Sequence, residues 1–220
     1  MVQSDETIKK NIIDELFWDA KIDASDVKVE VNNRRVTLNG KVSTYSEHAR
    51  AFSDAWAIKG VNEVVNNLKV EFKPTFVIPS DEDIKSSIES ILLWDTSVDS
   101  SEIEVKVTGG IVTLIGNVDA YWKIIHIEEL IWNVNGIIDL INKIAVVPTE
   151  DFIDKEIAES IVNAIARKIN VSVNDVDVKV HDGEVELLGT IPDYRAYQAA
   201  MNAATYTNGV VNVEDKLVIE

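Results

Sequence analysis

Histidines, paired carboxylates and glycine-rich turns are the features of this sequence that could take part in chemistry. The three histidines, His48, His126 and His181, fall at different columns of the internal repeat described below. A repeated catalytic or metal site would repeat its residues, so we expect these histidines at surface or boundary positions. The Asp175-x-Asp177 spacing lacks the glycine and terminal glutamate of a calcium loop. Gly109-Gly110 is followed by a strand pattern and not by a helix, so it does not form a phosphate cradle.

The remaining carboxylates are spread along the starts of predicted helices and the outer faces of predicted strands. A catalytic pair needs two carboxylates that converge in a pocket, and the sequence shows no such convergence. The chain has no cysteine, which excludes disulfides, thiolate metal sites and cysteine nucleophiles. We therefore expect no enzymatic activity, no cofactor and no metal site built from side chains.

The net charge of −17 argues against nucleic-acid binding, which depends on cationic contacts to phosphate. The charge is uneven, because residues 1–76 are nearly neutral while residues 77–220 are strongly acidic. No run of about 18 apolar residues could span a membrane, and the polar start does not have the order of a secretory signal. We expect a cytoplasmic location, or a periplasmic one if the N-terminus has been trimmed.

The chain repeats itself three times. Residues 4–70 align without a gap on residues 80–146 with 23 identities, and residues 5–70 align on residues 154–219 with 17 identities. Such recurrence predicts one structural unit of about 70 residues present in three copies. We assign the domains to residues 1–73, 80–147 and 150–220.

Each copy has the pattern α-β-β-α-β. The first helix has apolar residues at a 3.6-residue period, and the next segment alternates strictly, which predicts a strand with one buried face. A two-residue turn follows, as in Gly109-Gly110, then a second strand, a second helix and a last strand. The predicted fold class is α+β, with three tandem units that each have a small three-stranded sheet and two helices on one face.

Two glycine series recur in register. Gly40, Gly116 and Gly189 lie inside the second strand, on the face that carries its buried valines and leucines. We expect either that a helix approaches the sheet closely there or that the strand bends. Close approach of a helix predicts that Gly116→Ala costs about 1–3 kcal/mol by overpacking. The other series follows the second helix, where a left-handed C-cap is expected, and consists of Gly60, Gly136 and Gly209.

These motifs resemble the BON (bacterial OsmY and nodulation) domain family. The resemblance rests on Val112-Thr113-Leu114 with Gly116 and Val118, and on Gly60-Val61 followed by Val64 and Asn66; it extends over all three copies. It implies a bacterial protein linked to osmotic or envelope stress that attaches to phospholipid membranes or to other macromolecules, without catalysis.

The aromatic and apolar residues of the middle copy indicate a contact surface. Trp18 and Trp94 align at the end of the first helix, where we expect them to cover the small cores. The second helix of the middle copy is apolar nearly all round, whereas a helix on a sheet needs only an apolar stripe. The candidate contact residues are Trp94, Ile115, Trp122, Ile127 and Trp132.

Two uses of this surface remain open, namely packing between the repeats, which we favour, and binding of a membrane or another protein. The proline-containing linker at residues 71–79 is apolar, which favours packing. The leading functional hypothesis is a stress-associated binding or scaffold protein that contacts a phospholipid surface or a protein partner, without nucleic acid. The alternative is a sensor or buffer that binds a small cation such as potassium, or a solute, between domains.

Overall fold

The computed structural model describes residues 3–168 and 176–219, which form three consecutive α-β-β-α-β repeats. The first repeat consists of α1 (Asp5–Trp18), β1 (Val27–Asn32), β2 (Arg35–Val42), α2 (Tyr45–Ala57) and β3 (Glu63–Val70). The second consists of α3 (Asp81–Trp94), β4 (Ile103–Thr108), β5 (Ile111–Val118), α4 (Tyr121–Ile131) and β6 (Asp139–Val146). The third consists of α5 (Asp154–Ala166), β7 (Val176–His181), β8 (Glu184–Ile191), α6 (Tyr194–Thr205) and β9 (Asn212–Ile219). The predicted α+β fold class is confirmed. Asp175 lies outside the described residues.

Each repeat has one three-stranded sheet in which the hairpin's second strand is central, giving the orders β1-β2-β3, β4-β5-β6 and β7-β8-β9. In the first and third repeats the hairpin is antiparallel and the last strand pairs parallel to the central one. The parallel pairing follows from the intervening helix, which carries the chain back to the end of the sheet where the central strand begins.

The first helix of each repeat buries one stripe against the sheet. Its fully buried residues are spaced by four, as Ile8, Ile12 and Leu16 show in α1, and the equivalent positions of α3 and α5 are buried too. The central strands share one burial pattern, in which the apolar residues at alternate positions are buried. The core of the first repeat therefore lies between α1, α2 and one face of its sheet.

An aspartate at the start of the first helix binds the hairpin turn in every repeat. The carboxylate of Asp81 accepts hydrogen bonds from the backbone N–H groups of Gly109 and Gly110 at 2.8 and 2.9 Å. Asp5 and Asp154 make the same two bonds to the turns of their own repeats, at distances of 2.8–3.0 Å. We call this contact the turn clamp; it fixes the start of the first helix against the tip of the hairpin.

The strand glycines have a different role from the one expected. Gly40, Gly116 and Gly189 have φ values of +119°, +154° and +141°, which L side chains rarely adopt. A Cβ at Gly116 would lie 2.0 Å from the carbonyl oxygen of Glu102, and one at Gly40 would lie 2.0 Å from that of Asp26. The expected approach of a helix is therefore wrong at Gly40 and Gly116, because the close neighbour is the backbone entering the adjacent strand.

Close packing against the first helix occurs instead at the other glycine series. Gly60 has the expected left-handed conformation, with a φ of +96°, but it lies in the turn after α2, past the C-cap residue Ile58. A Cβ at Gly60 would lie 3.1 Å from Ile8 of α1, and one at Gly136 would lie 2.8 Å from Ile84 of α3. The missing side chain of each glycine thus leaves room for an isoleucine of the first helix where the turn meets that helix.

The chain divides into two compact units that do not follow the three repeats. One unit comprises Met1–Thr96, Glu104–Ile115 and Glu129–Lys143, and the other comprises Ser97–Ile103, Gly116–Glu128 and Ile144–Glu220. The second repeat contributes segments to both units. The domain boundaries at residues 1–73, 80–147 and 150–220 remain a prediction.

Candidate interaction surface

Two helix ends present large apolar side chains to solvent. Trp18 at the end of α1 and Trp94 at the end of α3 are 78% and 84% exposed, and the residues before them, Phe17 and Leu93, are 68% and 70% exposed. The expectation that these tryptophans cover the cores is wrong. Each helical residue turns the side-chain direction by about 100°, so Trp18 points about 200° away from the buried Leu16. We call the two pairs, Phe17–Trp18 and Leu93–Trp94, the exposed helix ends.

Sequence reasoning identified Trp94 as a contact residue but missed Phe17 and Leu93. The signal was present in the helical phase, because a residue one or two positions after the last buried position of a helix cannot face the same core. The third repeat has Ala166 and Arg167 at these columns, so its helix end lacks the apolar pair.

A polar cluster lies beside the first exposed helix end. Arg50 of α2 donates to the carboxylate of Asp19, the C-cap residue of α1, at 3.3 Å, and the backbone N–H of Lys21 donates to the same carboxylate at 2.9 Å. The Oδ2 atom of Asp54 is buried and has no hydrogen-bond partner among the described residues. Burial, together with the negative charges of Asp19 and Glu15, raises the pKa of Asp54 to about 6.

This cluster is the convergence of carboxylates that the sequence did not reveal. Asp19 and Asp54 are on different helices, 35 positions apart, and only helix packing brings them together. Across the residues from 3 to 168 and from 176 to 219, no group of three or more histidine, cysteine, aspartate or glutamate side chains could hold a metal ion.

The predicted contact residues of the middle repeat do not form one surface. Ile127 is fully buried in the core at the column where the other repeats have alanine, so it is not available to a membrane or a partner protein. Ile115 and Trp122 are half-buried, and the centroid of the Trp122 ring lies 5.8 Å from that of the His126 ring. Trp94 is the one candidate of the five that is exposed.

Trp132 lines a contact between the first and second repeats. It borders a cavity of about 220 Å³ together with Tyr45 of α2 and the linker residues Phe72 and Phe76. The neighbouring Asn133 accepts a hydrogen bond from the Ser46 hydroxyl at 2.9 Å. Trp132 is therefore part of the contact between the first two repeats.

The other end of α4 approaches the third repeat. Tyr197 of α6 donates a hydrogen bond to Asp215 at 2.7 Å, and burial is the main cause that raises its pKa. Tyr121, at the start of α4, is close enough to add to this rise.

No helix within the described residues is both long and apolar enough to cross a bilayer.

The family model for the BON domain matches the chain three times, at residues 4–71, 80–148 and 153–220. The chain is 29% identical over 119 residues to the osmotically-inducible protein Y of Escherichia coli, a match that covers 53% of this chain and 59% of that protein. It is 33% identical over 116 residues to the outer membrane lipoprotein DolP of Haemophilus influenzae, covering 52% of this chain and 60% of that protein. The chain therefore spans about six-tenths of the length of these relatives.

Among solved structures, the C-terminal domain of CdsD, a structural protein of the Type III secretion system of Chlamydia trachomatis, is similar over the full length of both chains. The sequence identity is 16% and the TM-score is 0.28, values too low to support a conclusion.

Proposed function

The chain belongs to the BON domain family, and we propose on that premise that it is a non-enzymatic, stress-associated protein that attaches to a phospholipid membrane surface. One relative is named for its induction by osmotic conditions, and another is named as an outer membrane lipoprotein. These names support a role in stress and at a membrane, and the exposed helix ends supply the surface.

The observation that carries this proposal is the duplication of the exposed helix ends. Phe17–Trp18 and Leu93–Trp94 place an aromatic residue and a second large apolar residue at the same position of two repeats. Exposed apolar groups of this size are unfavourable in water and favourable at a binding surface. Tryptophan is also enriched at membrane–water interfaces, where its apolar ring and polar N–H both find suitable surroundings.

Charge determines which membrane the surface fits. The first repeat is nearly neutral, but the whole chain carries −17, so anionic headgroups repel the protein. Attachment through the exposed helix ends therefore draws its free energy from apolar burial, and we expect it on zwitterionic phosphatidylcholine vesicles.

Co-sedimentation with phosphatidylcholine vesicles tests the proposal. The wild-type chain should sediment with the vesicles, and its tryptophan emission should shift to the blue as Trp18 and Trp94 leave water. The double variant Trp18→Ala/Trp94→Ala should lose most of the bound fraction, and each single variant should lose part of it. Adding salt should change binding little, because apolar burial is not screened.

Tyr206→Ala is the matched control, since Tyr206 is an aromatic residue of the third repeat that is 64% exposed. It should bind vesicles as the wild type does. Absence of vesicle binding by the folded wild-type chain contradicts the membrane proposal and leaves the exposed helix ends to a protein partner. Equal binding by the wild type and the double variant contradicts their role.

A further inference from the structure

The third repeat contains a groove of about 710 Å³ between α5 and α6. Ala164 and Ala203 line it, one from each helix, and so do the aromatic residues Phe152 and Tyr206. The Phe152 ring is close to Gly209, so these aromatics mark the end of the groove where α5 begins and α6 has ended. The volume is in the range of about 300–1,000 Å³ that is typical of small-molecule sites.

The alanines that line this groove distinguish it from the other repeats. The column of Ala164 holds Glu15 in the first repeat and Ile91 in the second, and the column of Ala203 holds Asp54 and Leu130. Each of those side chains is larger than alanine. The third repeat therefore keeps space between its helices at the place where the first repeat packs its carboxylate cluster.

The far end of the groove is cationic. Arg167 and Lys168 line it just past the end of α5, both are exposed, and neither forms an ion pair with another residue in the described part of the chain. In the first two repeats their columns hold tryptophan and aspartate. Two cations that have no ion-pair partner among residues 3–168 and 176–219 lie on one groove of a protein with a charge of −17, and this local reversal of sign favours an anion.

The two ends of the groove differ in charge. Glu156 lines the end near the start of α5, eleven positions before Arg167, which is about 16 Å along a helix. A ligand with a negative charge at both ends would be repelled by Glu156. A ligand with one anionic end and an apolar body is complementary to the groove along its whole length.

We infer that this groove is a binding site for an amphipathic monocarboxylate. The carboxylate lies between Arg167 and Lys168, and the apolar body covers Ala164 and Ala203 in the direction of Phe152. This site is independent of the proposed membrane contact, which uses the first helices of the first and second repeats.

An NMR titration of the full ¹⁵N-labelled chain with hexanoate tests this inference, with hexan-1-ol as the uncharged counterpart. Hexanoate should produce saturable shifts of the backbone amides of Asn202 and Ala203, whereas hexan-1-ol should need concentrations about fivefold higher or more to produce the same shifts. The variant Arg167→Gln/Lys168→Gln should bind hexanoate about fivefold more weakly or worse, as two exposed ion pairs predict. Arg195→Gln, which removes an exposed cation of α6 outside the groove lining, should bind as the wild type does.

Ala203→Leu should abolish the saturable shifts by filling the groove. The second repeat has leucine at this column, and circular dichroism checks that the variant remains folded. Equal shifts with hexanoate and hexan-1-ol, or unchanged affinity in the double glutamine variant, would overturn the inference. Because both exposed charges can be removed without disturbing the core, the test does not depend on the leucine variant. Loss of vesicle binding in the tryptophan variants has no bearing on this result.

Discussion

The backbone at Gly116 has a φ of +154°, and a Cβ there would lie 2.0 Å from the carbonyl oxygen of Glu102. Gly109 also has a positive φ, +59°, but among the described residues no atom beyond Gly109 and its two chain neighbours lies within 4 Å of the place where its Cβ would be. An alanine at Gly109 therefore reports the free-energy cost of the positive φ alone, whereas an alanine at Gly116 reports that cost together with the steric clash.

We expect Gly116→Ala to lower the free energy of unfolding by about 3 kcal/mol or more, because strain and overpacking add and the opposing atom is backbone. Gly109→Ala should cost only about 1–2 kcal/mol, the penalty for a left-handed residue. Urea denaturation of both variants measures the difference. Equal losses would show that the strands separate easily and that the collision is not decisive.

Asp54 provides a second prediction at this scale, concerning pH. Its pKa in the folded protein is about 6, above the ordinary 3.8, so the folded state holds a proton that the unfolded state releases. The free energy of unfolding should therefore fall as pH rises from about 4 to about 6 and stay low above that. Asp54→Asn removes the buried charge, and we expect a gain of about 1 kcal/mol at pH 7, after discounting for solvent screening, and little change at pH 4.

Urea denaturation at several pH values checks this expectation, with the exposed Asp14→Asn of α1 as the control. An identical pH profile in the wild type and in Asp54→Asn would contradict the raised pKa.

Residues that repeat in register could be identified from the sequence. Residues that interact only because two helices pack together could not. Gly40 and Gly116 were found because they repeat in register, yet their positive φ leaves no mark in the sequence. The pair Asp19 and Asp54 was invisible for a related reason, since its two members meet only when α1 packs on α2.

At the scale of elements, the turn clamp joins the start of a helix to a hairpin by two charge-assisted hydrogen bonds in each repeat. In the third repeat, the bonds from Gly183 and Asp182 hold the pKa of Asp154 below its usual value. A folded pKa below the unfolded one means that the stabilisation is present above pH 3.8 and is lost as the pH falls through the folded value.

Asp154→Asn should therefore lower the thermal midpoint at pH 7, and the difference from the wild type should shrink as the pH falls below 4. The exposed Asp151→Asn is the control, because it changes the charge equally outside the clamp. Differential scanning calorimetry across this pH range gives both midpoints. A constant difference at all pH values would show that the Asp154 charge does not stabilise the turn.

The elements themselves were largely predictable, because periods of 3.6 and 2 residues and the two-residue turns are local signals. The clamp was not predicted, although an aspartate recurs 28 positions before each turn, at Asp5, Asp81 and Asp154. The helical phase would also have placed Trp18 in solvent, since it follows Leu16 by two positions.

At the scale of the whole molecule, the charge of −17 opposes compaction. Raising NaCl from about 10 mM to about 150 mM shortens the Debye length from about 30 Å to about 8 Å, and we expect the melting temperature to rise. At pH 4, where many carboxylates are protonated, the same addition should have a smaller effect. A melting temperature that falls with salt at pH 7 would show that attractive ion pairs outweigh the repulsion.

The turn clamp contacts only main-chain N–H groups, so the side chains at the hairpin tip can differ while the strands stay in place. They do differ, as Asn33-Arg34, Gly109-Gly110 and Asp182-Gly183 show. Asp182 is exposed, and the chain contains no cysteine. A cysteine at position 182 would thus give the protein a single thiol for attaching a fluorophore or spin label, at a point where the label interferes with neither core nor sheet.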